Sequence, residues 1–379
     1  MKKQLFIHVG MPKCGSSAIQ SLLSSHDFCQ TNDDIVYISI DRFGSLIYGD
    51  KLVHQATKSI FNYSASVDIS HLLNLEEEIQ QDIINNLELL SKDYKTIVLS
   101  NEGWGLRPYE VDKFFKNIFD NTLFEVNIIG FIRPQVEWIN SAWWQWGVWT
   151  EHSIDYWLEH VIKEASWFKY IEVWNSLNWV ANVHFSLLDS SMIKNFLSKI
   201  GAKEHNGTLI SNQSSSELLL RFFQLNREFR ESSHDSGKEF ALNRWLSFEN
   251  KSTPFVIEKR YIEMIQTFHE KSNRQLIKYL TDEDKKKFLQ ETSKWFLPLL
   301  YEKKNIVQSS SRELDSFEYE TLLKVSQNAI DNLKHKYLEY DFEALYCHIK
   351  EEIEINNKIV RNFKIILILD EYIRTHSDK

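Results

Sequence analysis

The sequence predicts an α/β protein in which a mostly parallel sheet is flanked by helices and followed by a mainly helical C-terminal extension. Short apolar runs alternate with longer helical patterns through the first half of the 379 residues, as in chains that build βαβ units. A loop with two glycines stands between the first apolar run and the first helical pattern. Strand patterns fade after about residue 210, where helical patterns take over.

The predicted strands are short and rich in apolar residues. Ile97, Val98 and Leu99 follow one another without a polar residue, which is typical of a strand buried on both faces of a parallel sheet. The predicted strand ranges are 5–9, 35–40, 96–100 and 125–132, with a later strand near 182–187.

Helical periodicity is clear over residues 70–92, where apolar residues recur at spacings of three and four. Further helices are predicted at 213–229, 255–280, 282–300 and 317–374. The pattern divides the chain into an α/β domain with a helical second half, residues 1–300, and a helical extension, residues 301–379. We expect the amphipathic helices of the extension to pack on the core or on a second copy of the chain, as in a homo-oligomer.

Composition and charge exclude several classes of protein. Aromatic residues make up 13 % of the chain, which indicates a packed globular protein rather than a disordered one. The formal charge is 44 − 53 = −9, so no general basic field would collect nucleic acid or an anionic membrane. Cys14, Cys29 and Cys347 are odd in number and widely spaced, which favours a reducing compartment. With no signal-peptide pattern and no spanning segment, we expect a cytoplasmic protein.

The strongest motif is the glycine loop, residues 10–17, with the sequence Gly-Met-Pro-Lys-Cys-Gly-Ser-Ser. It follows the first predicted strand and opens a helix whose apolar residues include Ala18 and Ile19. A loop in this position directs backbone N–H groups and the positive end of the helix dipole at one point. The sequence therefore predicts an anion-binding site, and phosphate is the expected ligand.

The glycine loop differs from the loop of nucleoside-triphosphate enzymes, which reads G-x-x-x-x-G-K-[ST]. Gly10 and Gly15 keep that spacing, and a P-loop type sheet is therefore predicted. Ser16, however, stands where the lysine is required, and the lysine of this loop is Lys13. This displacement counts against metal-dependent hydrolysis of a nucleoside triphosphate. It suits a 5′-phosphate that carries a different leaving partner, and no metal is expected.

A second motif lies at the end of the predicted strand 125–132, where Arg133 is followed eight residues later by Ser141. A guanidinium and a hydroxyl together suit a phosphate, because the former offers a bidentate fork and the latter an additional donor.

Together the two motifs resemble the sulfotransferases that use 3′-phosphoadenosine 5′-phosphosulfate (PAPS). The segment Pro12 to Ser17 resembles their Pro-Lys-x-Gly-[ST]-[ST] loop, and Arg133 with Ser141 resembles their 3′-phosphate motif. The resemblance implies that the 5′-phosphosulfate is held by Pro12, Lys13, Cys14, Gly15, Ser16 and Ser17, and the 3′-phosphate by Arg133 and Ser141. Cys14 stands where Thr or Ser is commoner in the family.

Weaker similarities extend the resemblance over about residues 4–230. Ser100-Asn101-Glu102 resembles a family strand that ends in Ser-x-Glu, and residues 174–200 resemble the following Trp, strand and helix. Asn212-Gln213-Ser214 resembles a segment of the bacterial members that are similar to carbohydrate sulfotransferases. The resemblance implies transfer of a sulfuryl group to a hydroxyl or amine on a glycan, a glycolipid precursor or a small metabolite.

Two residues are candidates for the catalytic base. Glu102 follows a buried strand, at the edge where sheets of this kind place their ligands. His54 follows the second strand region, resembles a histidine of bacterial relatives and has an unperturbed pKa that suits proton transfer. Lys13 is expected to balance the charge of the leaving phosphate. The sequence leaves both candidates for the base open. Glu102 could instead form a hydrogen bond to the substrate or cap a structural element, and His54 could be an ordinary loop histidine.

Two further questions stay open at the level of sequence. Trp143, Trp146 and Trp149 recur at a spacing of three, which fits either core packing or an apolar wall for a sugar or aromatic acceptor. The alternatives to a sulfotransferase are a P-loop kinase or NTPase and a non-catalytic nucleotide-binding scaffold.

Overall fold

The computed structural model describes residues 2–119, 124–204, 215–249, 253–336 and 357–376. These residues form an α/β fold with a six-stranded, mostly parallel sheet. The strands are β1 (Lys3–Val9), β2 (Ile35–Ile40), β3 (Leu46–Ile47), β4 (Thr96–Asn101), β5 (Phe124–Ile132) and β6 (Asn182–Leu187).

The sheet has the strand order β3-β2-β4-β1-β5-β6. The strand β1 is central, with Ile7 opposite Leu99 of β4 on one side and Ile128 of β5 on the other. Only β3 runs antiparallel, paired with the end of β2. The carboxyl ends of β1, β4 and β5 therefore lie side by side, and the chain segments that follow these strands meet at one edge.

Helices cover the sheet and continue beyond it. The α-helices are α1 (Ser16–Leu23), α2 (His26–Thr31), α3 (Gly49–Lys58), α4 (Ile69–Leu73), α5 (Glu77–Leu90), α6 (Pro108–Phe119), α7 (Gln135–Gln145), α8 (Ile154–Val161), α9 (Trp167–Ser176), α10 (Met192–Ile200), α11 (Glu217–Leu225), α12 (Gly237–Trp245), α13 (Lys259–Leu276), α14 (Asp282–Gln290), α15 (Thr292–Trp295), α16 (Ser316–Lys336) and α17 (Lys358–His376). The helix α1 packs against α2 and α10, whereas α9 packs against α6 and α13.

The five predicted strands are confirmed, and β3 was not predicted. The helical pattern over 70–92 is confirmed in part, because the chain forms two helices there, α4 and α5, with a break between them. The backbone of Glu76 is extended there, with a ψ of 145°, and Gln80 Nε2 donates to Leu75 O at 2.8 Å. A side-chain hydrogen bond thus satisfies a carbonyl that a continuous helix would have used.

The later helical predictions are confirmed in part. The range 282–300 is divided into α14, α15 and a 3-10 helix, Pro298–Lys303. Pro298 accounts for the second break, because a proline cannot continue a helix that precedes it, whereas the first break lies at Glu291. The range 213–229 contains α11, and 255–280 contains α13. The range 317–374 contains α16 and α17, while residues 337–356 between them lie outside the described residues.

The C-terminal extension packs on the remainder of the described chain. The helices α16 and α17 pack on each other, α17 contacts α12 and α3, and α16 contacts α11. The predicted boundary at residue 300 falls inside the 3-10 helix Pro298–Lys303. None of the helices in the described ranges combines the length and apolar character that a membrane span requires.

Candidate active site

The glycine loop joins β1 to α1 and depends on two glycines. A Cβ at Gly10 would lie 2.9 Å from Glu102 Cα, so glycine permits the close approach of the segment after β4. Gly15 has a left-handed backbone, with a φ of +91°, and a Cβ there would lie 2.2 Å from Met192 Sδ. Any larger residue at either position would displace the loop from its neighbours.

The contacts of the glycine loop converge on Lys13. Its own backbone is left-handed, with a φ of +61°, which is uncommon for a residue with a side chain. The Lys13 N–H donates to Glu102 Oε1 at 3.0 Å, and the Lys13 carbonyl accepts from Arg133 Nη1 at 3.3 Å. The Lys13 Nζ donates to Gln145 Oε1 at 3.1 Å. The structure therefore brings together Lys13, Glu102 and Arg133, all of which the sequence predicts for the site.

The electrostatic surroundings of Lys13 favour an anion. Burial lowers the pKa of Lys13, and the positive charges of Arg230 and Arg133 lower it further. Glu102 acts in the opposite direction. A bound phosphate would add negative charge beside three cationic groups and would stabilise the charged form of the lysine.

Several hydrogen-bond donors at the start of α1 have no acceptor among the described residues. No described hydrogen bond uses the N–H groups of Gly15, Ser16 or Ser17. The Ser16 hydroxyl is buried and also has no partner among the described residues. An anion at this point would satisfy these groups, so the residues present fit a phosphate or sulfate group.

Cys14 has a different place from its neighbours in the loop. Its side chain lies in the hydrophobic core with 1 % of its surface exposed, and its N–H donates to Met11 O at 3.1 Å. Burial raises the pKa of the Cys14 thiol to about 12, against the opposing charge of Arg133. The thiol is therefore protonated and packs in the core, so that a nucleotide contact of Cys14 would have to come from its backbone.

Arg133 leaves β5 between the glycine loop and a cavity of about 1100 Å³. Its carbonyl accepts from Trp167 Nε1 at 2.8 Å, which fixes the backbone. The guanidinium lies 3.4 Å from Glu137 Oε2, and Arg133 Nε is buried without a hydrogen-bond partner in the described chain. Part of the donor capacity of this arginine is thus unused.

One face of α7 is directed at the glycine loop. Trp138 Nε1 donates to Pro12 O at 2.6 Å, and Gln145 accepts from Lys13 seven residues later. Ser141 is half-buried and lies between them, three residues after Trp138 and four before Gln145, so it shares their face. The structure therefore places the predicted residues Pro12 and Ser141 on facing elements.

The two candidate bases have different positions. Glu102 accepts a hydrogen bond from the glycine loop, as described above. His54 is exposed on α3, and the hydrogen bonds described for the loop do not include it. His8 of β1 is 1 % exposed, and its Nδ1 lies 2.8 Å from Ser100 Oγ. Burial lowers the pKa of His8 to about 3, so its ring is neutral.

The tryptophan cluster does not form the continuous helical face that its spacing predicts. The helix α7 ends at Gln145, and residues 147–149 form a 3-10 turn. Trp146 is partly exposed and packs on Trp138, with 6.2 Å between the ring centroids. Trp143 and Trp149 are buried, as is the neighbouring Trp144. These positions favour core packing over an exposed acceptor wall.

Sequence reasoning missed two residues beside Lys13. Gln145 was recognisable, because it continues the face of Ser141 by one helical turn. Arg230 is buried, pairs with Glu239 and donates to Gln145 O at 2.6 Å. Nothing near Arg230 in the sequence forms a motif, so only the fold reveals it. The predicted segment Asn212-Gln213-Ser214 lies outside the described residues.

No protein-family model matches this chain, and comparisons with curated proteins and with solved structures find no significant match.

Proposed function

We propose that the protein is a PAPS-dependent sulfotransferase, which moves a sulfuryl group to an acceptor hydroxyl or amine on a glycan, a glycolipid precursor or a small metabolite. The observation that carries the proposal is the meeting of Lys13, Glu102 and Arg133 at one loop. Glu102 is 89 residues from Lys13 along the chain and Arg133 is 120 residues away, yet both hydrogen-bond its backbone. An anion-binding lysine, a carboxylate and an arginine are the groups that sulfuryl transfer from a 3′-phosphonucleotide requires.

The cavity beside Arg133 supports a nucleotide as the donor. Its volume of about 1100 Å³ is sufficient for a nucleoside. Phe255 and Tyr301 line it with parallel rings whose centroids are 5.8 Å apart. The charged lining residues are Arg133, Lys304 and Lys324 together with Glu137, Glu217, Glu249 and Glu320. A nucleotide whose 5′ end lies at the glycine loop could therefore extend past Arg133 into this cavity, whose lining is partly aromatic and carries charges of both signs.

The proposed reaction is an in-line transfer. The acceptor oxygen forms a bond to sulfur while the bond between sulfur and the bridging oxygen of the 5′-phosphate breaks. One Glu102 oxygen accepts from the Lys13 N–H, which leaves carboxylate lone pairs for the proton of the acceptor hydroxyl. The Lys13 ammonium balances the charge that grows on the leaving 3′-phosphoadenosine 5′-phosphate.

Binding of the product nucleotide tests the proposal without an acceptor. We expect 3′-phosphoadenosine 5′-phosphate to raise the melting temperature in the absence of magnesium, because Lys13 and the N–H groups of α1 replace the metal. A ligand that binds only the folded state adds about 2.7 kcal/mol of stability at about 100 times its Kd. A thermal-shift titration with EDTA present measures this effect.

The same titration with other nucleotides supplies the control. AMP and ADP lack the 3′-phosphate and should stabilise the protein less at equal concentration. Equal or greater stabilisation by ATP with magnesium would contradict the proposal and favour a kinase or NTPase.

Arg133 is expected to recognise the 3′-phosphate. Arg133→Ala should weaken the binding of 3′-phosphoadenosine 5′-phosphate by about 1.5–3 kcal/mol, which is the scale of a hydrogen bond to a charged group. Binding of AMP should hardly change, because AMP has no 3′-phosphate. Isothermal titration of both nucleotides against both proteins measures the difference.

Arg260→Ala is a matched control, because Arg260 is exposed and paired with Asp155 and Glu258 away from the loop. It should leave both affinities unchanged. An equal loss of AMP and of 3′-phosphoadenosine 5′-phosphate in Arg133→Ala would instead indicate that Arg133 acts only through its hydrogen bond to Lys13 O.

A further inference from the structure

The side chain of Lys13 is held by the end of α7. Lys13 Nζ donates to Gln145 Oε1 at 3.1 Å, although the two residues are 132 positions apart in the chain. Trp138 of the same helix donates to Pro12 O at 2.6 Å, so α7 contacts the glycine loop at two points. The ammonium therefore lies against the face of α7 that also carries Ser141.

Arg230 fixes the backbone of Gln145, the last residue of α7. Its Nη2 donates to Gln145 O at 2.6 Å, and its side chain is fully buried and paired with Glu239. Glu239 also accepts from the hydroxyl of Ser215. A cation at the last carbonyl of a helix complements the negative end of the helix dipole. The end of α7 that carries Gln145 is therefore anchored to a buried ion pair.

Gln145 is a neutral partner for a charged group. Its amide oxygen accepts from the ammonium without cancelling the charge. A glutamate at the same position would form an ion pair with Lys13 and would repel an incoming anion. Glu102, the carboxylate that contacts the loop, accepts from the backbone N–H of Lys13. The charge of Lys13 thus stays available to an anion at the glycine loop.

We propose that Gln145 is a positioning residue of the donor site: its amide oxygen holds the Lys13 ammonium on the α7 face that carries Ser141, and its neutrality leaves the charge of Lys13 for the bound anion. This inference rests on the proposed function, in which Lys13 contacts the 5′-phosphosulfate. A free lysine side chain loses many rotamers when a ligand orders it, whereas a lysine that is already held loses fewer. The hydrogen bond to Gln145 therefore increases affinity without a contact between Gln145 and the ligand.

Substitutions of Gln145 test the proposal. Gln145→Met keeps nearly the same length and removes the amide oxygen, so it should lower the affinity for 3′-phosphoadenosine 5′-phosphate by about 2- to 12-fold, the scale of ordering one long side chain. Gln145→Glu should lower the affinity by at least about 10-fold more, because a carboxylate pairs with Lys13 and repels the nucleotide. Isothermal titration at low and at high salt measures both effects. The additional loss in Gln145→Glu should shrink at high salt.

A double-mutant cycle links the effect to Lys13. Lys13→Ala should lower the affinity by about 10- to 100-fold, the scale of a hydrogen bond to a charged group. Adding Gln145→Met to Lys13→Ala should change the affinity by less than about twofold, because Gln145 then has no ammonium to hold. Gln81→Met is the matched control, because Gln81 is exposed on α5 and donates to Asn85 of the same helix. This control should leave the affinity unchanged.

Three results would overturn the proposal. The first is an unchanged affinity in Gln145→Met, and the second is a loss in the double variant that equals the product of the two single losses. The third is a Gln145→Glu variant that binds as tightly as Gln145→Met. A purely structural role of Gln145 would produce the second result, because Gln145→Met would then lower the affinity equally with and without the Lys13 side chain.

The cycle is repeated with inorganic pyrophosphate, which can occupy the glycine loop without a nucleoside. Non-additivity with pyrophosphate, in a protein that does not bind 3′-phosphoadenosine 5′-phosphate, would support the role of Gln145 and contradict the proposed function. Binding of 3′-phosphoadenosine 5′-phosphate with multiplicative losses would support the proposed function and contradict the role of Gln145. Failure of the unsubstituted protein to bind either probe would contradict both.

Discussion

Glu102→Gln is expected to lower the rate of sulfuryl transfer by about 10²–10⁴, which is the usual contribution of a general base. Glutamine has nearly the same shape and can still accept the N–H of Lys13, so the fold and the donor affinity should persist. The neutral amide cannot take up the proton of the acceptor hydroxyl. Transfer from PAPS to a panel of sugars and phenols, measured beside nucleotide affinity, separates the two effects.

Two variants serve as controls for this result. Glu110→Gln makes the same chemical change at an exposed position of α6 and should leave transfer unchanged. His54→Ala replaces the other candidate base, and we expect a rate within about threefold of the parent, which is under 1 kcal/mol of barrier. If Glu102→Gln stays within threefold while His54→Ala loses rate at constant donor affinity, then His54 is the base.

Asp370→Ala is expected to reduce the free energy of unfolding by about 3–5 kcal/mol. The carboxylate is 1 % exposed and accepts from Arg244, Arg374 and Trp245 Nε1. Its removal would leave two partly buried guanidinium groups without this counter-ion. Arg244 and Arg374 also donate to Ile60 O and Lys58 O, so the same change should loosen the chain that follows α3. Unfolding in urea measures the loss of stability, and hydrogen exchange should show reduced protection around residues 58–60.

Glu371→Ala is the matched control on the same helix, because Glu371 is exposed. A surface substitution of this kind typically changes stability by less than about 0.5 kcal/mol. Asp370→Asn keeps the shape of the side chain, so its loss of stability should lie between the losses of Asp370→Ala and Glu371→Ala. A loss below about 1 kcal/mol in Asp370→Ala would mean that the ion pairs of Asp370 contribute little to stability.

The strands could be predicted from the sequence because their signal is local. A strand of a parallel sheet is buried on both faces, so its residues form a nearly continuous apolar run such as Ile97-Val98-Leu99. The two-residue strand β3 has no such run and was missed.

Helix ends depended more on tertiary contacts. Pro298 could have marked the second of the two breaks in the range 282–300, since proline cannot continue a helix. No proline or other helix-breaking residue marks the break before α5 in the sequence. That break involves a side-chain hydrogen bond between Gln80 and Leu75 O. Likewise, the periodicity of the tryptophans continued past Gln145, where α7 ends.

The sequence by itself determined the α/β class and the meeting of Lys13, Glu102 and Arg133, since each follows a strand of one parallel sheet and the carboxyl ends of such strands share an edge. Only the tertiary structure decided the remaining partners. Arg230 reaches Gln145 from a segment without a motif, and Arg374 of α17 donates to Lys58 O, 316 positions away in the chain. Long-range contacts of this kind depend on how whole elements pack, which no local pattern of residues encodes.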